Sequence, residues 1–345
     1  MSFEHPHASL RARVEERLAL SLGRSVRVLS MTPLAGGACQ DNFILELEDG
    51  QDTLRCVLRS DAKSSLPGSL DRRREFAVVE AAYARQVCTA KARGLTADLV
   101  RDGAYGYLLD WVPGEAVGRR VTRGKELAAA RQTLAPVLAK ELAKIHSIAP
   151  ENTPSLEAVL GPAPADPVAA RLADFRRRID ALSTKRLGIE LIYRWLVQQA
   201  GSLEPDGPVL VHGDFRTGNF MVTETGLTAI LDWEFARWGS IYEDLSWISL
   251  RDWRFNVLGN PIGGFAQRRE FYDAYEAASG HPVDLRRVHY FEVLGNLLWA
   301  VGSIAQAERC VYGGEENVEY LAIGRRVSEM EWEAIRLIEQ GSISC

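Results

Sequence analysis

Cysteine is scarce in this sequence, and its placement excludes two common structural roles. Five cysteines are present, an odd number, with no CxxC pair and no histidine partner at metal-ligand spacing: Cys39, Cys56, Cys88, Cys310 and Cys345. Disulfide frameworks and thiolate metal sites both need paired or clustered cysteines. We therefore expect five reduced thiols.

Long apolar runs are missing as well. No stretch reaches the roughly 18 uncharged apolar residues that a spanning helix needs, and the N-terminal residues lack the apolar core of a signal peptide. The sequence therefore predicts no membrane partner and a cytoplasmic location.

The sequence also lacks an excess of positive charge. The formal net charge is −5 and the pI is about 5.8, which gives no reason to expect nucleic acid as a partner. The 345 residues are 46% hydrophobic and 25% charged, a globular composition with enough chain for one or two domains. The sequence leaves the oligomeric state open.

The first third of the chain is predicted to be rich in strands. An amphipathic helix is expected over 9–22, followed by β-prone runs at 26–34, 43–47 and 54–58, with a hairpin turn at Asp49-Gly50. A helix over 70–87 and two further strands, near Leu99 and over 105–111, complete this part. We place a boundary near residue 112, so that 1–112 and 113–345 form two lobes.

Helices are predicted to dominate the second part. The expected segments are 125–146, 167–182, 187–200 and most of the chain from residue 267 onward. Only residues 209–233 resemble a sheet, with short apolar runs separated by polar turns.

This sheet-like segment contains three polar residues at a chemically useful spacing. Asn219 lies five residues after Asp214, and Asp232 lies thirteen residues after Asn219, each next to a β-prone run. Phosphoryl transfer needs an oriented hydroxyl and a divalent metal held by hard oxygen ligands. Two carboxylates and an amide supply these groups, although any one of them alone would more simply cap a turn.

The same segment resembles the catalytic loop of the aminoglycoside phosphotransferase and choline kinase branch of the protein-kinase-like enzymes. His212-Gly213-Asp214 with Asn219 matches the HGDxxxxN loop, and Asp232 stands where protein kinases have the aspartate of DFG. The resemblance implies an α+β fold with two lobes, a small antiparallel-sheet lobe and a larger helical one. It also implies that Asp214 orients or deprotonates an acceptor hydroxyl, while Asn219 and Asp232 bind magnesium.

Two neighbours of Asp214 are assigned from their types. His212 is expected to brace the loop by hydrogen bonds rather than to exchange protons. Arg216 stands near where protein kinases often have a lysine, and its guanidinium would hold a phosphate oxygen; a solvated arginine is the alternative.

The resemblance assigns the nucleotide, ATP or GTP, to the first lobe. Gly36-Gly37 would form the turn that covers the phosphates, although an ordinary hairpin fits the same residues. Asp110 and Val112 belong to a segment that resembles the hinge that binds the purine edge; an ordinary strand exit would look similar.

One position departs from the family pattern. Kinases place a lysine on the third strand, paired with a glutamate on the next helix, whereas this sequence offers Arg59 and Glu75. Arginine carries the same charge but seats phosphates differently. Lys63 in the following loop is the alternative.

The acceptor side is less defined. Glu234 follows the metal aspartate closely and is expected near the substrate, whereas Asp244 is expected to be structural. Carboxylates and aromatic rings in 312–320 would suit a cationic acceptor, although a charge run of this kind is more often a solvated helix entrance.

The sequence therefore predicts an Mg-assisted phosphotransferase acting on a small-molecule hydroxyl. A nucleotide-binding pseudokinase or scaffold is the alternative that Arg59 favours. A protein kinase is disfavoured because no APE-like segment follows Asp232.

Overall fold

A small sheet lobe and a larger helical lobe make up the fold, as the sequence predicts. The computed structural model describes residues 6–34, 41–50, 52–61, 66–204 and 206–344. Within these ranges, no helix has both the length and the apolar composition required to cross a bilayer.

The small lobe is an antiparallel sheet with two helices. Its elements in chain order are α1 (Pro6–Leu22), β1 (Arg27–Pro33), β2 (Asp41–Asp49), β3 (Asp52–Ser60), α2 (Arg72–Ala84), β4 (Ala92–Thr96) and β5 (Gly106–Asp110). The strand order is β1-β2-β3-β5-β4. The predicted turn is confirmed, since Asp49 pairs with Asp52 and Gly50 has a φ of +69°, which favours glycine.

The predicted strand near Leu99 is wrong. The fourth strand lies earlier, at Ala92–Thr96. Leu99 lies in the following turn, where its amide donates to the carbonyl of Ala104. Leu99 is nevertheless fully buried beside α1. Its apolar character therefore reflects core packing and not strand pairing.

The large lobe begins with five helices. They are α3 (Gly118–Arg123), α4 (Ala128–His146), α5 (Pro154–Leu160), α6 (Pro167–Ala181) and α7 (Leu187–Ala200). Two two-stranded ribbons follow, built from β6 (Val209–Val211), β7 (Phe220–Thr223), β8 (Gly226–Ile230) and β9 (Arg237–Gly239). β6 pairs with β9, and β7 pairs with β8.

The chain then returns to helix. The remaining elements are α8 (Ile241–Trp247), α9 (Arg268–Ser279), α10 (Leu285–Val311), α11 (Val318–Gly324) and α12 (Val327–Gln340). The short helices α3 and α5 were not predicted, because six or seven residues carry too little periodicity to be recognised.

Two hydrophobic cores position the lobes. One face of the sheet packs on α1, with Val14, Val28 and Leu45 at its centre. Apolar side chains of α2, among them Val78 and Ala82, join the core of the large lobe. The division of the chain near residue 112 stays a prediction.

Candidate active site

Asp214 lies just after β6 and is held by three donors. Its Oδ2 accepts a 2.7 Å hydrogen bond from Nδ2 of Asn219, and its Oδ1 accepts from Nε1 of Trp247 at 2.7 Å and Nε of Arg216 at 2.9 Å. Only 7% of Asp214 is exposed. Three donors on one carboxylate fix its orientation.

His212 braces this loop, as expected. Its Nε2 donates to the carbonyl of Leu231 at 3.0 Å, and its Nδ1 accepts from the amide of Asp214 at 3.2 Å. This pattern places the proton on Nε2. Complete burial lowers the pKa of His212, which keeps the ring neutral despite nearby carboxylates.

Asp244 holds the same loop from α8. Its carboxylate accepts from the amides of His212 at 2.7 Å and Gly213 at 2.9 Å, and it lies 3.3 Å from Nε2 of His146. Burial would raise the pKa of Asp244, but the hydrogen bond and charge of His146 outweigh burial and lower it. Asp244 is fully buried, which fits the expected structural role.

The two expected metal ligands are connected through the backbone. The amide of Leu231 donates to the carbonyl of Asn219 at 2.8 Å, which connects the residue before Asp232 to the loop that carries Asp214. Asp232 has a φ of +65°, and 31% of its side chain is exposed. Burial would raise the pKa of Asp232, but the charge of Arg59 outweighs it and lowers that pKa.

These two side chains suit a hard cation. Nδ2 of Asn219 is committed to the main-chain and side-chain oxygens of Asp214, which leaves its carbonyl oxygen as the end for a metal. That oxygen and the carboxylate of Asp232 are the ligand types that Mg²⁺ prefers. The donor set therefore fits the expected ion.

The predicted pairing of Arg59 with Glu75 is confirmed. One nitrogen of Arg59 lies 2.9 Å from Glu75 and 3.1 Å from Asp232. Arg72 also contacts Glu75 and lies 3.4 Å from Glu234. Two arginines and three carboxylates thus form one network between the lobes.

Among the described nucleotide-side residues, Asp110 pairs outside this network. Asp110 forms a two-pronged ion pair with Arg93, at 2.7 and 2.8 Å. The amide of Asp110 donates to the carbonyl of Lys91. Gly36, Gly37 and Lys63 lie outside the described residues.

A model of the phosphotransferase enzyme family matches residues 30–281 of this sequence. The chain belongs to that family. The expected enzyme class, a small-molecule phosphotransferase, is confirmed by this membership. The matched range contains the candidate residues from Gly36 to Asp244, but not the segment 312–320.

Several solved structures of kinase-like phosphotransferases share this fold. A candidate aminoglycoside phosphotransferase from Ralstonia eutropha JMP134 has a TM-score of 0.73 at 20% identity, with 99% of this chain and 100% of that chain covered. A choline/ethanolamine kinase family protein from Mesorhizobium loti has a TM-score of 0.59 at 17% identity, covering 96% and 95%. Spectinomycin phosphotransferase in complex with ADP and spectinomycin has a TM-score of 0.57 at 13% identity, covering 94% and 98%.

In this family member a cavity of about 820 Å³ opens beside Asp214. Arg216, Asp232 and Glu234 also line it, whereas Asp110 and Val112 do not. Burial and then the charge of Asp232 raise the pKa of Glu234 to about 7. The cavity therefore brings the expected catalytic and substrate-side residues together and leaves the hinge apart.

The expected acceptor segment 312–320 contributes little to this cavity. Tyr312 lines it, but Glu315 pairs with Arg309 and Tyr320 is buried. The contact of Trp247 with Asp214 was not predicted from the sequence. Its signal was the three-residue spacing from Asp244, which places both side chains on one face of a helix.

Proposed function

We propose that this phosphotransferase moves the γ-phosphoryl group of ATP or GTP to a hydroxyl of a small molecule, with Asp214 orienting or deprotonating that hydroxyl. The observation that carries the proposal is the carboxylate of Asp214 at the cavity, held by three donors beside Asn219 and Asp232. A fixed carboxylate at a substrate cavity suits this role.

The other roles follow the same arrangement. Asn219 and Asp232 hold magnesium, whose charge neutralises phosphate oxygens when it is bound. Arg59, fixed by Glu75, holds the α and β phosphates in place of the usual lysine. Arg216 lies 2.9 Å from Asp214 and would contact the transferred phosphoryl group.

The nucleotide is proposed to lie along the small lobe. The main chain of Asp110 to Val112 would bind the purine edge, and Gly36-Gly37 would cover the phosphates. A relative of the same fold binds ADP, which supports a nucleotide donor. The thiols of Cys56, Cys88 and Cys310 are free, which supports a cytoplasmic location.

A second candidate is a nucleotide-binding pseudokinase without transfer activity. The contact between Arg59 and Asp232 favours it, because the guanidinium competes with a metal for that carboxylate. Retention of Asp214 and Asn219 favours the enzyme.

Both candidate functions require nucleotide binding, and thermal stabilisation by nucleotide tests for that binding. Mg-ATP or Mg-GTP should raise the unfolding midpoint of the wild type, because a ligand of the native state stabilises it. Asp232→Asn should reduce the magnesium-dependent part of that shift. Asp273→Asn, on an exposed helix face far in sequence from the site, is the matched control.

Turnover then decides between enzyme and pseudokinase. Asp214→Ala should reduce acceptor-dependent nucleotide consumption by orders of magnitude while nucleotide affinity changes little. Equal turnover in wild type and Asp214→Ala would remove Asp214 from the mechanism. A magnesium-dependent shift with no turnover on any acceptor would favour the pseudokinase.

A further inference from the structure

The cavity beside Asp214 has two chemically different walls. One, which we name the apolar wall, consists of Trp247, Trp253, Leu298, Trp299, Val301 and Ala305. The other, which we name the arginine wall, consists of Arg171, Arg177, Arg178 and Arg237. The apolar wall comes mainly from α8 and α10, and the arginine wall from α6 and β9.

The arginine wall carries more positive than negative charge. Asp174 is shared by Arg178 at 2.7 Å, Arg177 at 3.1 Å and Arg171 at 3.5 Å. Glu243 is shared by Arg237 and by Arg171 at 3.2 Å. Within the described ranges, four guanidinium groups thus pair with two carboxylates.

The most buried cation of this wall, Arg171, shares both of its carboxylate partners with other arginines. Only 9% of Arg171 is exposed, and burial, followed by the nearby guanidinium of Arg237, lowers its pKa. A buried cation that is not fully compensated is costly to the fold, and an anion bound in the cavity would offset that cost. The arginine wall is therefore suited to an anionic ligand.

Both walls meet at the catalytic loop. A Cβ atom on Gly213 would lie 2.5 Å from Nη1 of Arg237, so this guanidinium packs against the residue that precedes Asp214. From the apolar wall, Trp247 donates to Asp214, and Arg216 stacks 4.4 Å from the ring centre of Trp253. Each wall therefore contacts Asp214 or the residue next to it.

We propose that the acceptor is a hydroxylated molecule with an apolar body and an anionic group, a carboxylate or a phosphate. The inference rests on the proposed function. The apolar body would lie along α10, the anion would contact the arginine wall, and the hydroxyl would reach Asp214. Such an acceptor differs in charge from the cationic acceptors for which carboxylates in 312–320 would be suited.

A set of matched acceptors tests the charge preference. The probes share a ten-carbon chain with a hydroxyl at carbon 3 and differ only in the group at carbon 1. They are 3-hydroxydecanoate, its methyl ester, 1-aminodecan-3-ol and the 1-phosphate of decane-1,3-diol. Acceptor-dependent release of nucleoside diphosphate gives kcat and KM for each. We expect KM for the carboxylate or the phosphate to be about tenfold or more below that for the ester, and the amino alcohol to be the poorest acceptor.

The arginine wall is then tested by substitution. Arg178→Gln should raise KM for the preferred anionic acceptor about tenfold, with kcat little changed and a smaller effect on the ester. Arg176→Gln is the matched control, since Arg176 lies on the same helix, pairs with Glu190 and Asp180, and does not line the cavity. A difference between the carboxylate and phosphate probes identifies the anion.

Three kinetic results would overturn the proposal. They are equal KM values for acid and ester, preference for the amino alcohol, and an Arg178→Gln variant that treats all probes as the wild type does. Thermal stabilisation by each probe with Mg-nucleotide present serves as a second readout, and no stabilisation by either anion at millimolar concentration also overturns it. Nucleotide stabilisation without probes tests the proposed function separately, so the two failures are distinguishable.

Discussion

The raised pKa of Glu234 predicts how stability depends on pH. In the folded protein this carboxyl titrates near pH 7, whereas a glutamate in the unfolded chain titrates near 4.5. The folded state therefore holds the proton more tightly, and the free energy of unfolding falls as pH rises from about 4.5 to 7. Above pH 7 the effect is complete.

Glutamine at position 234 does not titrate, so the Glu234→Gln variant should not show this fall in the free energy of unfolding. A shift from 4.5 to about 7 corresponds to a contribution of about 3 kcal/mol. The side chain is only 12% exposed, so solvent screening reduces the figure little. We expect Glu234→Gln to be more stable than the wild type at pH 8 by up to that amount, and nearly equal to it at pH 4.5.

Thermal and denaturant unfolding at a series of pH values measures the effect. Glu115→Gln is a control of opposite sign, because burial would raise the pKa of Glu115 but the amide of Val117 and the guanidinium of Arg120 lower it. That variant should gain nothing at pH 8. A Glu234→Gln variant with the same pH slope as the wild type would refute the reasoning.

Two further substitutions test how the site is supported. Asp244→Asn should lower the free energy of unfolding by about 1–3 kcal/mol, because a buried carboxylate that accepts from two loop amides loses its charge and one acceptor oxygen. Because the pKa of Asp244 is lowered, the loss of stability should be full near neutral pH and should shrink as the pH falls into the acid range. Denaturant unfolding at several pH values measures the loss. A difference between variant and wild type that stays the same in acid would contradict the prediction. Arg59→Met should weaken Mg-nucleotide binding about tenfold or more, whereas Arg59→Lys should retain most of it, because an ammonium still pairs with Glu75. Nucleotide titration followed by calorimetry distinguishes the two, and equal affinities in both variants would remove Arg59 from the phosphate site.

The local parts of the fold and site were predictable from the sequence. Asp214, Asn219 and Asp232 lie within nineteen consecutive residues, 214–232, and their spacing alone places them together. The pairing of Arg59 with Glu75 was expected from the resemblance to kinases, in which a lysine on the third strand pairs with a glutamate on the next helix. The strand near Leu99 was misplaced because an apolar residue buried in a turn has the same sequence signal as one in a strand.

The arginine wall and the hydrogen bond from Trp247 to Asp214 were not predictable in the same way. Arg171 and Arg237 are 66 positions apart in the sequence and meet only because both pair with Glu243 of α8. The pKa of Glu234 depends on burial between the lobes, which no local pattern reports. Such features arise from packing between distant elements.

The hydrophobic core that contains residues of both lobes has a consequence for folding. Val78, Val79 and Ala82 of α2 belong to the same buried cluster as helices of the large lobe. The amide of Leu70 bonds to the carbonyl of Glu234, and the amide of Ile230 bonds to the carbonyl of Cys88. A fragment ending near residue 112 would expose one face of α2 and lose these bonds. We therefore expect the two lobes to unfold as one cooperative unit, with the small lobe depending on the large lobe for its native state.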